Sequence, residues 1–156
     1  MHRTLAVVSL IVLAGCIEPP KTNRAIVYVT GLVDLSRWDP INGGRGQDAY
    51  DALLQLEPKD SVPVLIESLL DPTPTGIYDK LHRPATVGDV AFHMLCLIFQ
   101  KKPADFDREG VWISQRDPVR NPIYTVRLDV ADTRQKVRVR FTEMAIKKDW
   151  YPTGSE

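Results

Sequence analysis

Residues 86–99 read TVGDVAFHMLCLIF, and this stretch decides the fold. Thr86 and Asp89 stand three positions apart at its start. At that spacing, the two side chains each satisfy an N–H group that a new helix leaves unpaired. Apolar residues then recur over most of a helical circumference, at Val87, Val90, Ala91, Met94, Leu95 and Ile98. Because a helix that is apolar on nearly all sides is buried, we expect a central helix here.

Two shorter helices are predicted before it. The first covers residues 48–56, where Ala49, Ala52, Leu53 and Leu56 recur at helical spacing. The second follows a break at residues 58–60, with Asp60 or Ser61 as its cap and Pro63 in its first turn. Its apolar stripe is formed by Val62, Leu65, Ile66, Leu69 and Leu70. The segment from residue 71 through Pro84, rich in proline, is expected to be a loop.

An internal repeat relates the first of these helices to the central one. DAYDALLQL at residues 48–56 aligns with DVAFHMLCL at residues 89–97, and SVPVLIESLLDP lies between them at residues 61–72. This arrangement resembles HEAT-like helical repeats, although the insert at residues 73–84 departs from that pattern. Solenoids need about three repeats to bury a continuous core. The resemblance therefore implies a compact domain of helix pairs over about residues 47–101, and not an extended superhelix.

The flanking segments leave alternatives open. Residues 25–33 are rich in β-branched side chains and fit either a strand or a buried helix. Alternation from Tyr124 to Val130 favours a strand, and residues 137–141 also alternate, which would make a hairpin. Helical spacing after Asp132 instead favours a C-terminal helix over about residues 133–149. The predicted fold class is mainly α, with short strands in the flanks.

The first residues of the chain carry an export signature. Residues 5–13 form an apolar run that is too short to cross a bilayer, which takes about 20 residues, and it fits a secretion signal. Leu13-Ala14-Gly15-Cys16 follows at once and resembles the lipobox of bacterial lipoproteins. We therefore divide the chain into a signal peptide (1–15), a lipidated tether (16–24) and one globular domain (25–156).

The lipobox resemblance implies a location. In that family the cysteine, here Cys16, takes a diacylglycerol and becomes the acylated N-terminus after cleavage. We expect a protein anchored by lipid to a membrane of the bacterial cell envelope. Ile17 stands where an aspartate would resemble an inner-membrane retention signal. In a Gram-negative host the resemblance thus favours the outer membrane, with the domain facing the periplasm.

Composition narrows the range of partners. The chain carries 20 Lys and Arg against 20 Asp and Glu, so its formal net charge is zero. This balance gives no electrostatic case for binding nucleic acid. With Cys16 acylated, only Cys96 remains, so no intramolecular disulfide is expected. Cys96 lies within an apolar run and is interpreted as a small buried side chain, not as a nucleophile.

Four side chains are candidate ligands of a metal or a small molecule: Asp79, His82, Asp89 and His93. The helix cap already explains Asp89, and His93 falls on the less apolar face of its helix. The sequence has no Gly-x-Ser-x-Gly and no His-Glu-x-x-His motif, and the glycine-rich residues 42–46 fit a plain turn. We predict no enzyme, metal or cofactor. A small-ligand or metal-dependent site in residues 73–93, with or without catalysis, remains the alternative.

The most noticeable charge pattern lies near the C-terminus. Its members are Arg134, Lys136, Arg138, Arg140, Lys147 and Lys148. A solvated helix face is the simpler interpretation. The functional one is contact with anionic lipid headgroups or with an acidic partner, since a tethered domain already lies beside a membrane.

A non-catalytic domain that binds another protein is the function the sequence favours, with the partner unknown. An anchor fixes position, and HEAT-like helix pairs commonly serve as binding surfaces, although a fold resemblance alone carries little functional weight. This hypothesis expects exposed apolar side chains on the repeat helices or around Trp38 and Tyr78.

Overall fold

The computed structural model describes residues 21–35, 45–78, 84–113, 126–127 and 131–152. Over these residues the chain is mainly α, which confirms the predicted fold class. The α-helices are α1 (Lys21–Gly31), α2 (Arg45–Gln55), α3 (Pro58–Ser68), α4 (Val87–Ile98) and α5 (Ala131–Ile146). Short 3-10 helices cover Leu32–Asp34 and Pro103–Glu109. Two antiparallel pairs of strands complete the described part, β1 (Pro74–Tyr78) with β2 (Pro84–Thr86) and β3 (Trp112–Ile113) with β4 (Val126–Arg127).

Helix α4 is the centre of the core, as its sequence predicts. The Thr86 Oγ1 atom accepts a hydrogen bond from the Asp89 N–H at 3.2 Å, and Asp89 Oδ2 accepts one from the Thr86 N–H at 2.8 Å. This reciprocal pair is the predicted capping box. Every residue from Val87 to Cys96 is buried. The helix therefore begins at the predicted cap and is enclosed on all sides over its first ten residues.

Helix α1 settles the alternatives for residues 25–33 in favour of a helix. It begins at Lys21, four residues before the predicted start of the domain. Ala25 and Val29 are buried, and the helix packs against α2 and α3. Gly31 permits this close approach, since a Cβ atom there would lie 2.9 Å from the Cβ of Ala49.

Helix α3 starts earlier than its sequence predicts. The expected caps, Asp60 and Ser61, are wrong, because Glu57 is the N-cap and Pro58 occupies the first turn. Proline suits that position, since its fixed φ is helical and its missing N–H would have no partner there. Pro63 consequently lies inside the helix and not in its first turn. The N–H groups of Asp60 and Ser61 bond instead to the Glu57 carbonyl, at 2.8 Å and 3.2 Å.

The helices pair mainly as α1 with α2 and as α3 with α4, and α3 also contacts α1 and α5. Both segments of the internal repeat are helical, at α2 and at α4. The resemblance of these segments to HEAT-like repeats stays a prediction.

The insert between α3 and α4 is partly a strand, so the loop expected from residue 71 to Pro84 is wrong for residues 74–78. Strand β1 pairs with β2 from Pro74 opposite Thr86 to Tyr78 opposite Pro84. Proline is tolerated at the ends of an edge strand, where its missing N–H need not meet a neighbour. Thr75 donates a hydrogen bond to the Ala85 carbonyl at 2.9 Å, and Ile77 is fully buried. The hairpin therefore belongs to the core.

The C-terminal region follows the strand-and-helix alternative. Val126 and Arg127 form β4, and α5 occupies residues 131–146 where a helix over about 133–149 was predicted. Thr133, Val137, Phe141 and Ala145 recur every fourth residue and form its buried face. Phe141 carries most of the packing, with ring centroids 4.8 Å from Phe106, 5.5 Å from Phe99 and 6.0 Å from Phe92. These aromatic contacts hold α5 against α4.

Candidate functional site

Asp89 is occupied by interactions that stabilise the fold. Its Oδ2 atom accepts hydrogen bonds from the N–H and, at 2.9 Å, from the hydroxyl of Thr86. Its Oδ1 atom lies 3.7 Å from a guanidinium nitrogen of Arg134, and the two side chains are only 6% and 11% exposed. A carboxylate held in this way has little capacity left to bind a metal ion.

His93 is buried, so its predicted place on a less apolar face does not bring it to a surface. Its ring stacks on that of Tyr50, with centroids 6.4 Å apart and planes inclined by 18°. Burial lowers the pKa of His93 to about 4, and the imidazole is therefore neutral near pH 7. Burial also raises the pKa of the Tyr50 hydroxyl. The pair is an uncharged aromatic contact within the core.

The other two candidate ligands, Asp79 and His82, lie outside the described residues. Within the described part of the chain, no three His, Cys, Asp or Glu side chains come together as a metal site would require. Cys96 is buried as predicted, and burial raises the pKa of its thiol to about 12. That thiol is a poor nucleophile at neutral pH, because the thiolate is the reactive form.

The three arginines of the predicted basic face are engaged within the molecule. Arg134 donates to the Leu69 carbonyl and to the Thr86 hydroxyl, both at 2.9 Å. Arg138 pairs with Glu67 at 2.6 Å, and the hydrogen bond from Arg138 holds the pKa of the Glu67 carboxyl below its usual range. Tyr151 donates to the same carboxylate at 2.6 Å. These contacts join α5 and the residues after it to α3 and α4.

Arg140 completes this set from the other side of α5. It pairs with Glu109 at 2.7 Å, and its guanidinium lies 4.5 Å from the centre of the Phe106 ring. The predicted headgroup contacts at Arg134, Arg138 and Arg140 are therefore groups that already hold the fold together. Sequence periodicity could not reveal this, since their partners lie between 31 and 71 residues away.

The three lysines of the same set are exposed. Lys136 pairs with Asp132 one turn earlier at 2.6 Å, and both side chains are more than half exposed. Lys148 lies over the Trp150 ring at 4.8 Å, and Lys147 is exposed near the end of α5. Surface pairs of this kind contribute about 0–1 kcal/mol and leave the lysines available to solvent.

An open groove runs along the exposed side of α5, with a cavity volume of about 520 Å³. The end of the 3-10 helix at Pro103–Glu109 forms its other wall. Its lining consists of Glu109, Gln135, Lys136, Val139, Arg140 and Glu143. We call this feature the α5 groove. Val139 is the one apolar member of the lining, and 48% of its surface is exposed.

The charged side chains of the α5 groove differ in whether they form ion pairs. Arg140 and Glu109 neutralise each other, and Lys136 has Asp132 beside it. Glu143 makes no ion pair within 4 Å among the described residues, and Arg140 and Lys147 stand one turn away from it along the chain. The groove therefore presents a half-exposed apolar side chain one turn away from a carboxylate that is not part of an ion pair.

Of the residues that line this groove, Lys136 and Arg140 are candidate contact residues in the sequence, whereas Val139, Glu109 and Glu143 are not. The sequence does indicate this face, because helical spacing places residues 135, 136, 139, 140 and 143 on one side of a helix. Val139 is the apolar position among them. Val139 counts toward the alternation of residues 137–141, which supports the hairpin alternative, whereas the favoured C-terminal helix rests on the helical spacing after Asp132. Of the apolar side chains expected on the repeat helices or around Trp38 and Tyr78, Leu54, Leu97 and Tyr78 are exposed, whereas Trp38 lies outside the described residues.

Comparison of the chain with protein-family models, curated proteins and solved structures found no match. Among the described residues, none of the helices combines the length and apolar character needed to cross a membrane.

Proposed function

We propose that this protein is a lipid-anchored lipoprotein of the bacterial cell envelope whose non-catalytic helical domain binds another protein in the α5 groove. The observation that carries the proposal is Val139, which is about half exposed and is the apolar member of an otherwise polar lining. Protein interfaces surround apolar side chains with a polar rim. The anchor is the Cys16 of the lipobox-like motif, outside the described residues.

The chemistry of the groove defines the partner. An apolar side chain of the partner would pack on Val139. A lysine or arginine of the partner, about one helical turn away, would pair with Glu143. Of the basic side chains around them, Arg140 is already bound to Glu109, whereas Lys136 forms an exposed pair with Asp132. We therefore propose a protein segment that carries an apolar and a basic residue, in place of the acidic partner expected from the sequence.

The alternative, a ligand or metal site in residues 73–93, is weakened by the same geometry. Asp89 is bound to Thr86 and Arg134, and His93 is buried against Tyr50. Neither side chain is free to move toward a ligand without breaking a core contact.

In-cell photocross-linking tests the proposal. A photoreactive amino acid replaces Val139 on α5 or, as the matched control, Leu97 on α4, which is 50% exposed. We expect a discrete cross-linked protein from position 139 only, and its loss in the Cys16→Ser variant because the anchor supplies proximity. Cross-linking of equal strength at both positions, or at neither, would contradict the proposal.

Two variants test the chemistry of the recognised segment. Val139→Asp and Glu143→Lys should each abolish the cross-linked species, monitored from a photoreactive group at Gln135. Leu97→Asp is the control and should leave it intact. All three positions are exposed, so their thermal unfolding should match that of the parent protein within a few degrees.

A further inference from the structure

The outward face of α1 is apolar, in addition to the face that packs on the domain. Ile26, Val27 and Val33 are 50%, 64% and 39% exposed. Together with Thr30 they lie on one side of the helix and of the 3-10 turn that follows it, at positions i, i+1, i+4 and i+7. We call these four residues the α1 outer face.

Thr30 does not interrupt this apolar surface. Its hydroxyl donates a hydrogen bond of 2.7 Å to the carbonyl oxygen of Val27, one turn earlier in the same helix. A hydroxyl satisfied by its own helix needs no water, so the residue can enter an apolar environment at little cost. Ile26, Val27 and Thr30 are thus apolar or internally hydrogen-bonded, and the exposed side chain of Asp34 borders them at the C-terminal end, in the 3-10 turn.

The inner face of α1 is already in use. Ala25, Val29 and Leu32 are buried where α1 packs on α2 and α3. A surface helix of a globular protein is apolar toward the core and polar toward water. Ile26 and Val27 add exposed apolar area on the opposite side of α1, which a second apolar surface would cover.

The length of chain before α1 indicates what that surface is. Four residues lie between Cys16 and Lys21, where α1 begins, so five residue-to-residue steps join the two. Even fully extended, they span at most about 18 Å. The interfacial region on each side of a bilayer is about 5–8 Å thick. A lipid on Cys16 would therefore hold the start of α1 at or beside the headgroups.

We propose that the α1 outer face lies in the membrane interface, so that Ile26, Val27 and Val33 contact lipid and fix the orientation of the domain on the bilayer. This inference rests on the proposed lipid anchor at Cys16. Helices that lie in the interface bury one apolar face to the level of the acyl boundary. Here the acyl anchor supplies attachment, and the α1 outer face supplies orientation.

Depth-dependent fluorescence quenching tests this inference. The full lipidated protein is reconstituted in vesicles that contain lipids brominated on the acyl chain. An environment-sensitive probe is attached to Val27→Cys or, as the matched control, to Leu97→Cys. Labelling is confined to the introduced cysteine, because Cys96 is buried and the pKa of its thiol is raised to about 12.

We expect bromolipid to quench the probe at position 27 at least threefold more strongly than the probe at position 97. Adding Ile26→Asp should reduce the quenching at 27 toward the control value while circular dichroism stays unchanged. Equal quenching at both positions in a lipidated protein would overturn the inference and leave the anchor intact. A cross-link from position 27 to a protein in cells, without quenching in vesicles, would assign this face to a protein partner instead.

Mass spectrometry of the N-terminal peptide separates the two proposals. A diacylglyceryl group on Cys16 upholds the anchor on which the inference rests. Its absence would overturn the envelope-anchor proposal itself, and the orientation of α1 with it.

Discussion

The guanidinium of Arg134, in the first turn of α5, donates a hydrogen bond of 2.9 Å to the carbonyl oxygen of Leu69, the residue that follows α3. The same side chain binds the Thr86 hydroxyl and lies beside the Asp89 carboxylate. One nearly buried cation therefore joins the end of α3, the start of α4 and the start of α5.

Replacing Arg134 with leucine should destabilise the domain by about 3 kcal/mol. The substitution removes the Arg134 guanidinium from beside the Asp89 carboxylate and removes this donor from the Leu69 carbonyl, in a site only 6–11% exposed. Urea unfolding followed by circular dichroism measures the change in the free energy of unfolding. Lys136→Gln, on the exposed side of the same helix, is the control and should cost less than about 0.5 kcal/mol. Equal effects from the two variants would show that Arg134 has no special role.

Gly88→Ala should also destabilise the protein, although alanine is the better helix former. A Cβ atom at this position would lie 2.6 Å from the Leu69 carbonyl oxygen and would overlap the guanidinium of Arg134. We expect a net loss of about 2 kcal/mol from this overpacking. A double-mutant cycle with Arg134→Gln provides the check. The cost of Gly88→Ala should fall in that background, and strict additivity would disprove the steric coupling.

Thr86→Ala should cost about 1–2 kcal/mol in the free energy of unfolding. The substitution removes the acceptor for the Asp89 N–H and for Arg134, at 3.2 Å and 2.9 Å. Thr86→Ser keeps that oxygen and should retain nearly all of the stability. Should serine prove as damaging as alanine, the contribution of Thr86 would come from its methyl group and not from the cap.

Acid should weaken the fold through His93. Its pKa is about 4 in the folded state, against 6.5 for an unperturbed histidine. Below pH 6.5 the unfolded chain binds a proton that the folded state resists. Stability is therefore complete above pH 6.5 and falls as the pH drops toward 4, by about 3 kcal/mol in all. Urea unfolding at pH 7 and pH 4.5 measures this loss.

His93→Gln is the control for this pH effect. The variant has no imidazole to protonate, so its stability should decline less between pH 7 and pH 4.5 than that of the parent protein. Carboxylates contribute to the decline in both proteins, and the difference between the two isolates His93. Identical declines would exclude the buried imidazole as the cause.

The sequence predicted those parts of the fold whose causes are local. The cap at Thr86 and Asp89 depends on residues three positions apart, and the helical spacing after Asp132 distinguished α5 from a hairpin. The pairing of β1 with β2 was not predicted, because proline marks both loops and the ends of edge strands. Only the pairing with β2 distinguishes the two.

The site was less predictable, because its chemistry depends on distant partners. Arg134 and Lys136 have similar charge and stand two residues apart, yet the arginine is nearly buried and the lysine is exposed. The difference arises from the Leu69 carbonyl, 65 residues earlier in the chain. His93 illustrates the same limit, since its burial against Tyr50 depends on the placement of α2 relative to α4.

Because Arg134 binds residues far earlier in the chain, its contacts affect the order in which the chain acquires structure. A polypeptide emerges from the ribosome or from a translocation channel with its N-terminus first. The Leu69 carbonyl and the Thr86 hydroxyl then lack the hydrogen bonds from Arg134 until that residue has emerged, and Phe141 emerges later still. Contacts between residues so far apart in the sequence form slowly and together. A fragment that ends before α5 would lack Arg134 beside the Asp89 carboxylate and would expose the aromatic residues that pack on Phe141, so the domain matures only once nearly the whole chain has been delivered.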